Sequence, residues 1–416
     1  MSEPADQTTL EAAPSRNGAL LKLIAGRLFG AMATQMQSVV VGWQVYAISH
    51  NPLSLGYVGL AQFLPMFVLT LPAGDLADRV ERRLILAASI LVQGLASGLF
   101  LMLTRRGAGS VEPFYAVLVL FGMARAFAGP AMQSFLPLLV SRERLAKAIA
   151  WNSSAFQIAV IAGPALGGGL YLLGPSIAYA VCLILFVSGG VLVLAIPFRR
   201  RPDADTHKVS AFARFSAGIA YVRRQPVVLG AISLDLFAVL FGGATALLPV
   251  YAREILAVGP GGLGLLRSAT AVGAFAMGVV LGHFSLRRHA GPVMFGCVAL
   301  FGAATIVFGL STNFWLSLLA LAVVGGSDMI SVYVRSTLIQ LATPDAMRGR
   351  VSAVNMLFIG ASNELGEFES GVTASWFGTV PAVVLGGVGT LLVVGLWMRL
   401  FPALRKVDRL GDVGAG

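Results

Sequence analysis

The sequence predicts an all-α integral membrane protein with twelve transmembrane helices, arranged as two six-helix halves related by pseudo-symmetry. Three observations predict this fold: an apolar composition, apolar segments that recur along the whole chain, and a similarity between the two halves. Of the 416 residues, 57% are hydrophobic and only 12% are charged, whereas globular proteins carry about 25% charged residues. The strands of a β-barrel would alternate polar and apolar residues over about 10 positions, so the continuous apolar segments disfavour that architecture.

Each apolar segment is long enough, as a helix, to cross a hydrocarbon core of about 30 Å. The predicted spans are residues 20–48, 53–74, 83–104, 113–139, 148–172, 175–198, 226–252, 261–285, 290–311, 313–341, 351–373 and 378–401. The longest polar interruption, 199–225, separates six spans from six, and its second half has the composition of a basic amphipathic helix on the membrane surface.

The distribution of lysine and arginine predicts the orientation, because cytoplasmic loops carry the excess of these residues. With the N-terminus inside, 23 of the 30 fall in inside segments, 3 fall outside and 4 lie within spans. Both termini are therefore expected in the cytoplasm, and the net charge of +11 reflects this asymmetry rather than nucleic-acid binding. The predicted divisions are a cytoplasmic segment 1–19, a first half 20–198, a cytoplasmic linker 199–225, a second half 226–401 and a cytoplasmic tail 402–416.

The two halves resemble each other when Asn152 is aligned with Asn355. This offset of 203 pairs "QSFLPLLVSRERLAKAIAWN" with "STLIQLATPDAMRGRVSAVN". The same offset pairs Gly163 with Gly366, Gly168 with Gly371, and Arg125 with Asp328. A parallel repeat predicts a pseudo-two-fold axis along the membrane normal and a site near the midplane between the halves.

The segment "GDLADRVERR" follows the second span and resembles the signature that the major facilitator superfamily carries between helices 2 and 3. Glu81 stands where that signature has glycine. The resemblance implies a conformational latch in which Asp78 faces the N-terminus of helix 11, with Arg350 as its charge partner. The alternative is an ordinary basic loop on the cytoplasmic side. The predicted latch residues are Gly74, Asp78, Arg79, Arg82, Arg83 and Arg350.

In the fifth span, "AGPALGGG" resembles the Gly-Pro-x-x-Gly-Gly signature of exporters in the same superfamily. Glycines spaced in this way let helices approach closely, and the proline bends the helix. The resemblance favours export over uptake, and the alternative is a generic small-residue interface. The motif residues are Gly163, Pro164, Gly167 and Gly168.

Charged residues within spans are candidates for proton coupling, because an unpaired charge in a bilayer is costly. "ARAFAG" in the fourth span resembles the helix-4 signature associated with proton coupling in the superfamily, whose helices 1, 4, 7 and 10 line the central cavity. A basic wall of the first half is expected to face an acidic wall of the second through switchable ion pairs; the alternative is permanent pairs that stabilise the fold. The candidates are Asp235, Asp328, Glu364, Glu367, Arg27 and Arg125.

Three glutamates lie close together in "SNELGEFESG" of the eleventh span. Glu364 and Glu367 are three residues apart and share a helix face, whereas Glu369 points about 140° away from Glu364. We expect the first two either to couple protonation to helix movement or to form a fixed polar contact between the halves. Glu369 is expected to find a local polar partner or the outer interface.

Aromatic and amide side chains in the cavity-lining spans are candidate substrate contacts. They are Gln35, Trp43, Gln44, Tyr46, Phe127, Phe237, Phe241 and Tyr333. No phosphate-binding loop or catalytic triad is found in the sequence, Cys182 and Cys297 are expected as buried thiols, and the spacing of histidine and cysteine predicts no metal site. We therefore expect a transporter that is not an enzyme and uses no cofactor.

The resemblance implies secondary active efflux by alternating access, driven by proton antiport. "TPDAMRGRVSAVNMLFIGASNELGE" is similar to the branch that contains enterobactin exporters, which implies a siderophore or a hydrophobic drug-like substrate. The expected partners are that substrate, protons and the lipid bilayer, with no nucleic acid and no second subunit. The alternatives are an uptake permease of the same fold and a non-transporting membrane sensor or scaffold.

Overall fold

The computed structural model describes residues 16–197, 211–284, 286 and 288–409. Side chains at a few positions near the end of the second helix, including Asp78 and Arg79, lie outside the described part. The first six helices are α1 (Arg16–Ser49), α2 (Pro52–Arg79), α3 (Arg82–Arg105), α4 (Glu112–Leu139), α5 (Arg142–Leu172) and α6 (Pro175–Leu194). The remaining helices are α7 (Ala211–Arg224), α8 (Pro226–Phe241), α9 (Leu248–Val250), α10 (Gly259–His283), α11 (Ala290–Leu310), α12 (Phe314–Ala342), α13 (Asp345–Phe377), α14 (Thr379–Leu400) and α15 (Pro402–Arg405).

The twelve predicted spans correspond to α1–α6, to α8 with its continuation, and to α10–α14. By length and composition, 10 helical segments among the described residues are apolar enough to cross a membrane. The other two are α1 and α13. Three glutamines lower the hydropathy of α1, and three glutamates lower that of α13.

The seventh span changes its helical form part of the way along. After α8, a 3-10 turn (Ala244–Leu247) leads through α9 into a π turn (Tyr251–Ile255). The hydroxyl of Ser370 on α13 donates a hydrogen bond to the Gly243 carbonyl at 3.1 Å. A backbone group released by the break is thus satisfied by a neighbouring helix, as the interior of a membrane requires.

The two halves meet along two seams, α5 with α10 and α2 with α13. A Cβ atom on Gly168 would lie 3.1 Å from the Gly264 Cα, and one on Gly371 would lie 2.9 Å from the Gly56 Cα. Both seams therefore depend on backbones that approach with no side chain between them. The predicted repeat is confirmed in these contacts, because each glycine of the aligned pair packs against the second helix of the opposite half.

The other glycine pair of the repeat also occupies equivalent places. Gly163 packs against Gln35 of α1, and Gly366 packs against the carbonyls of Val239 and Leu240 on α8. Each therefore joins the fifth helix of its half to the first. Gly167 packs against Met36, so the motif in the fifth span serves helix packing.

The glycine contacts that cross between the halves in both seams lie towards one end of the bundle. We call this the far end, where α1 ends and α2 begins; the opposite end, where α1 and α13 begin, is the basic end. Towards the basic end α5 separates from α10, and a cleft of about 350 Å³ opens between them and α12. Its lining includes Ser153, Gln157, Phe275 and Met329. The described residues thus join the halves closely at the far end and leave a cleft between α5 and α10 towards the basic end.

We expect Gly168→Val to lower the free energy of unfolding by about 1–3 kcal/mol, because the added side chain overpacks the seam between α5 and α10. Gly169→Val is the matched control, since nothing lies within 4 Å of a Cβ at this position. Unfolding of the purified protein in detergent, followed by heat and by denaturant, measures both effects. Equal stability of the two variants would contradict the role of the seam.

Candidate functional site

An ion pair joins the two halves near the middle of the bundle. The Arg125 guanidinium on α4 lies 3.6 Å from the Glu364 carboxylate on α13. The same guanidinium donates a hydrogen bond to the Gln62 side-chain carbonyl on α2 at 3.3 Å. Arg125 would therefore keep one polar partner in its own half if the contact with Glu364 opened.

A second arginine and a second glutamate complete this group. Arg267 on α10 donates a hydrogen bond to the Ser38 hydroxyl on α1 at 2.8 Å, again from one half to the other. It also interacts electrostatically with Glu367 and Glu364. Glu367 packs against Gly59 of α2, where a Cβ would lie 2.9 Å from a carboxylate oxygen. We call Arg125, Arg267, Glu364 and Glu367 the charged cluster.

The charged cluster borders a polar cavity of about 170 Å³ between the halves. Each member of the cluster contributes to the wall, together with hydroxyl and amide side chains that include Thr34, Gln35, Gln37, Ser38 and Gln62. We call this space the central cavity. It is large enough for several water molecules, which need polar partners of this kind. The site can therefore hydrate its charges, exchange protons with water and change its ion pairing.

The interpretation of the three glutamates agrees with these contacts. Glu364 and Glu367 lie together on the central cavity, whereas Glu369 accepts a hydrogen bond from the Thr373 hydroxyl at 2.7 Å. Thr373 is one turn further along α13, so Glu369 has the predicted local partner. Whether protonation of the other two moves the helix stays a prediction.

The expected facing of Arg27 and Arg125 against Asp235 and Asp328 is wrong. Asp235 forms a buried ion pair with Arg335 inside the second half. The Arg27 guanidinium lies over the Phe156 ring, 4.6 Å from its centre, inside the first half. Asp328 lies in the second half with no arginine partner among the described residues, and the acid that meets Arg125 comes from α13. Residue numbers place charges on helices but do not fix the rotation of each helix, which decides these partners.

Among the predicted substrate contacts, Gln35 lines the central cavity. Others make packing contacts or hydrogen bonds elsewhere. Gln44 binds the Thr104 hydroxyl at 3.0 Å, and Trp43 packs edge-on against Tyr171. Phe237 packs against Trp397 at 5.1 Å between ring centres, and Phe241 lies beside Gly389. Phe127 and Tyr333 pack against the hydrophobic cores of the first and second half respectively.

The predicted latch is described only in part. Arg83 donates to the Ile196 carbonyl at 2.6 Å and pairs with Glu81 at 2.8 Å, which fixes the loop to the end of α6. Arg350 contacts the Met347 sulfur at 3.4 Å at the start of α13. The side chains of Asp78 and Arg79 and the surroundings of Gly74 lie outside the described residues, and the latch, including Arg82, stays a prediction.

Polar side chains also close the far end. The Tyr46 hydroxyl at the end of α1 donates a short hydrogen bond to the Glu254 carboxylate of the seventh span. Beside it, the Arg253 guanidinium lies 3.3 Å from the His50 ring nitrogen and 6.0 Å from the centre of the Tyr46 ring. Tyr46 was expected at the substrate cavity and instead joins the halves beyond it. We call these four residues the far-end contact.

Sequence analysis did not place four residues of the site among its candidates: Gln62, Ser38, Arg267 and Glu254. Arg267 and Gln62 could have been recognised from the sequence, because each is a polar side chain inside an apolar segment. Ser38 and Glu254 are hard to recognise in this way, since a serine is common in membrane helices and Glu254 follows an arginine at a span end. Within the described residues, no group of three or more His, Cys, Asp or Glu side chains is arranged to hold a metal ion.

A family model described as transmembrane secretion effector (MFS_3) matches residues 9–413. The chain is 24% identical to the enterobactin exporter EntS of Citrobacter koseri over 387 residues, which cover 91% of both chains. It is also 24% identical to the uncharacterized MFS-type transporter y4rN of Sinorhizobium fredii, over 92% of this chain and 93% of that one.

Solved structures of transporters share the fold at low sequence identity. A bacterial homologue of the lysosomal transporter Spinster, inward-facing and occupied, has a TM-score of 0.73 at 14% identity, over 94% of this chain and 97% of that one. A bacterial homologue of the iron transporter ferroportin, inward-facing, has a TM-score of 0.71 at 16% identity, over 93% and 98%. The twelve-helix fold is thus common to proteins with different substrates.

We expect Tyr46→Phe to favour opening of the far end about tenfold, because a hydrogen bond to a charged group contributes about 1.5–3 kcal/mol. Val41 is buried and lines the central cavity. The alkylation rate of Val41→Cys by a membrane-impermeant maleimide applied from the far side measures this opening.

Tyr251→Phe is the control, since the Tyr251 hydroxyl donates to the Gly309 carbonyl at 2.8 Å within one half. Both variants are made after Cys182 and Cys297 are replaced by alanine. If the Tyr46 variant labels no faster than the control, the far-end contact does not hold this end closed.

Proposed function

Because the chain belongs to the transmembrane secretion effector family of the major facilitator superfamily, we propose that it exports a small molecule from the cytoplasm by alternating access coupled to proton antiport. The observation that supports this most directly is the charged cluster, which spans the two halves around the central cavity. It lies where both halves must rearrange for the far end to open.

Protonation of Glu364 would weaken the contact that joins it to Arg125. The neutral acid no longer attracts the guanidinium as an ion, while Gln62 keeps Arg125 partly satisfied within the first half. Uptake of a proton by the cluster therefore favours separation of the halves at the far end. For antiport the proton binds from the far side while the far end is open, and its loss to the basic end restores the pair and the closed far end.

In this proposal the substrate binds in the cleft at the basic end. The central cavity, at about 170 Å³, is smaller than typical ligand pockets of about 300–1,000 Å³. The cleft of about 350 Å³ combines hydroxyl, amide, aromatic and thioether side chains. These surfaces suit an amphipathic compound, and the named relatives favour a siderophore among such compounds.

The basic end is the cytoplasmic side in this proposal, because lysine and arginine concentrate there. The protein is then a monomer in a bacterial inner membrane with both termini in the cytoplasm. Substrate enters from the cytoplasm in the conformation described, and the far end opens to release it.

We expect Glu364→Gln and Glu367→Gln each to reduce proton-driven accumulation about tenfold, since loss of coupling between two sites typically costs 5- to 150-fold. The assay uses inverted membrane vesicles with an acidic interior and enterobactin or ethidium as probes. Glu369→Gln is the matched control, because Glu369 lies on the same helix but bonds only to Thr373.

Accumulation by the wild type must collapse when the pH gradient is dissipated. Accumulation that persists without the gradient would remove proton coupling from the proposal. Loss of probe from the vesicles instead of accumulation would reverse the proposed direction and favour an uptake permease.

A further inference from the structure

Two more cavities are lined by residues of the second half alone. One has a volume of about 130 Å³, and its wall includes Thr270, Asn363, Asp328 and Glu367. We call it the inner cavity. The other, of about 10 Å³, is lined by both aspartates, Asp235 and Asp328, and by serine and apolar side chains. We call it the lower cavity.

Carboxylates lie where one cavity gives way to the next. Glu367 belongs to the wall of both the central and the inner cavity. Asp328 belongs to the wall of both the inner and the lower cavity, and Asp235 lines the lower cavity alone. In order, Glu367 therefore separates the central from the inner cavity, Asp328 separates the inner from the lower cavity, and Asp235 lies at the end of the series.

The acids descend in order towards the basic end. Glu367 lies 22 residues after the start of α13, which is about 33 Å along the helix axis. Asp328 lies 14 residues before the end of α12, about 21 Å from that end. Asp235 lies nine residues after the start of α8, about 14 Å from the basic end. Along the helix axes the acids therefore lie at heights that differ by about 7–12 Å from one to the next.

The two inner spaces have polar groups that lack partners. The Ser331 hydroxyl, on a residue only 2% exposed, borders the lower cavity and has no hydrogen-bond partner among the described residues. The Thr270 hydroxyl borders the inner cavity and likewise has no hydrogen-bond partner among the described residues. Buried hydroxyls are normally satisfied, so each points to water. A water requires about 10–15 Å³, so the lower cavity holds about one and the inner cavity several.

Asp328 differs from the other acids because no arginine among the described residues pairs with its carboxylate or acts on it electrostatically. Asp235 is held by Arg335. Glu367 faces Glu364 on its own helix, Arg125 on α4 and Arg267 on α10. An unpaired acid within a membrane span is tolerated where it is hydrated or neutral. Asp328 is thus free to gain and lose a proton without breaking an ion pair.

We propose that the inner and lower cavities form a water-filled proton route inside the second half, from Glu367 through Asp328 to the Asp235–Arg335 pair. This inference rests on the proposed antiport and adds the path by which the charged cluster exchanges protons with the basic end. The route is separate from the cleft between α5 and α10, so a bulky substrate in the cleft does not block it.

The transfer needs only acids and water. The O–H bond of protonated Glu367 breaks as a water in the inner cavity accepts the proton, and an O–H bond forms on Asp328. Asp328 then passes a proton to the water in the lower cavity, and Asp235 takes it up as its contact with Arg335 opens. One positive charge moves towards the basic end, and no other reactant is consumed.

The test compares two activities of Asp328→Asn in inverted vesicles with enterobactin as the probe. Accumulation driven by an acidic interior is expected to fall at least tenfold, because the route is interrupted. Counterflow of enterobactin at equal pH on both sides is expected to stay within twofold of the wild type, because it requires no net proton movement. Asp328→Glu is expected to restore the driven activity, since the inner cavity has room for one more methylene group.

Driven accumulation within twofold of the wild type in Asp328→Asn would overturn the route and leave the proposed antiport intact. Equal loss of counterflow and driven accumulation, with no rescue by Asp328→Glu, would also overturn it and would indicate a structural role. No gradient-driven accumulation by the wild type would instead be a failure of the proposed antiport with this probe.

If the wild type shows no gradient-driven accumulation, a measurement without substrate tests the proton route. Infrared difference spectra of the purified full chain between low and high pH, recorded in water and in deuterium oxide, report protonation of buried carboxyls. Asp328→Asn is expected to remove one deuterium-sensitive carboxyl band, and Glu369→Gln should leave that band in place. An unchanged spectrum in Asp328→Asn would overturn the route.

Discussion

The close approach of the two halves at the far end is the constraint on which the rest of the structure depends. The seam of α2 with α13 leaves no room for a side chain between Gly56 and Gly371. Only this approach brings the Glu364 carboxylate within reach of Arg125. The ion pair, the central cavity and the closed far end are therefore consequences of the same backbone packing.

The two ion pairs of the bundle differ in what surrounds them. Arg335 and Asp235 are almost fully buried within one half, and removing one partner of such a pair typically costs about 3–5 kcal/mol. Arg125 is about one third exposed and borders a polar cavity, so water can replace its partner at lower cost. A pair that lies across the halves and beside water is suited to switching when the halves move, whereas Asp235 and Arg335 remain in the same half whichever end is open.

The spans, the repeat and the glycine contacts could be predicted from the sequence because they depend on features that are local or periodic. Gly168 and Gly371 were placed correctly by a simple offset, and the geometry of three-residue spacing placed Glu364 beside Glu367. The partners of Arg125 and Asp235 could not be predicted in this way. The repeat aligns Arg125 with Asp328, which suggested that these two residues face each other across the central cavity. The rotation of α12 about its own axis instead places Asp328 at cavities inside the second half.

The same repeat shows an asymmetry between the two seams. The position equivalent to Glu364 is Ile161, whose backbone carbonyl accepts a hydrogen bond from the Ser268 hydroxyl at 2.7 Å. The position equivalent to Glu367 is Pro164. The α5–α10 seam thus joins the halves through neutral groups, whereas the α2–α13 seam lies beside the acids of the charged cluster. In the proposed antiport, proton binding would loosen the α2–α13 seam and leave the α5–α10 seam intact, so the far end would open by rotation of the halves about α5 and α10.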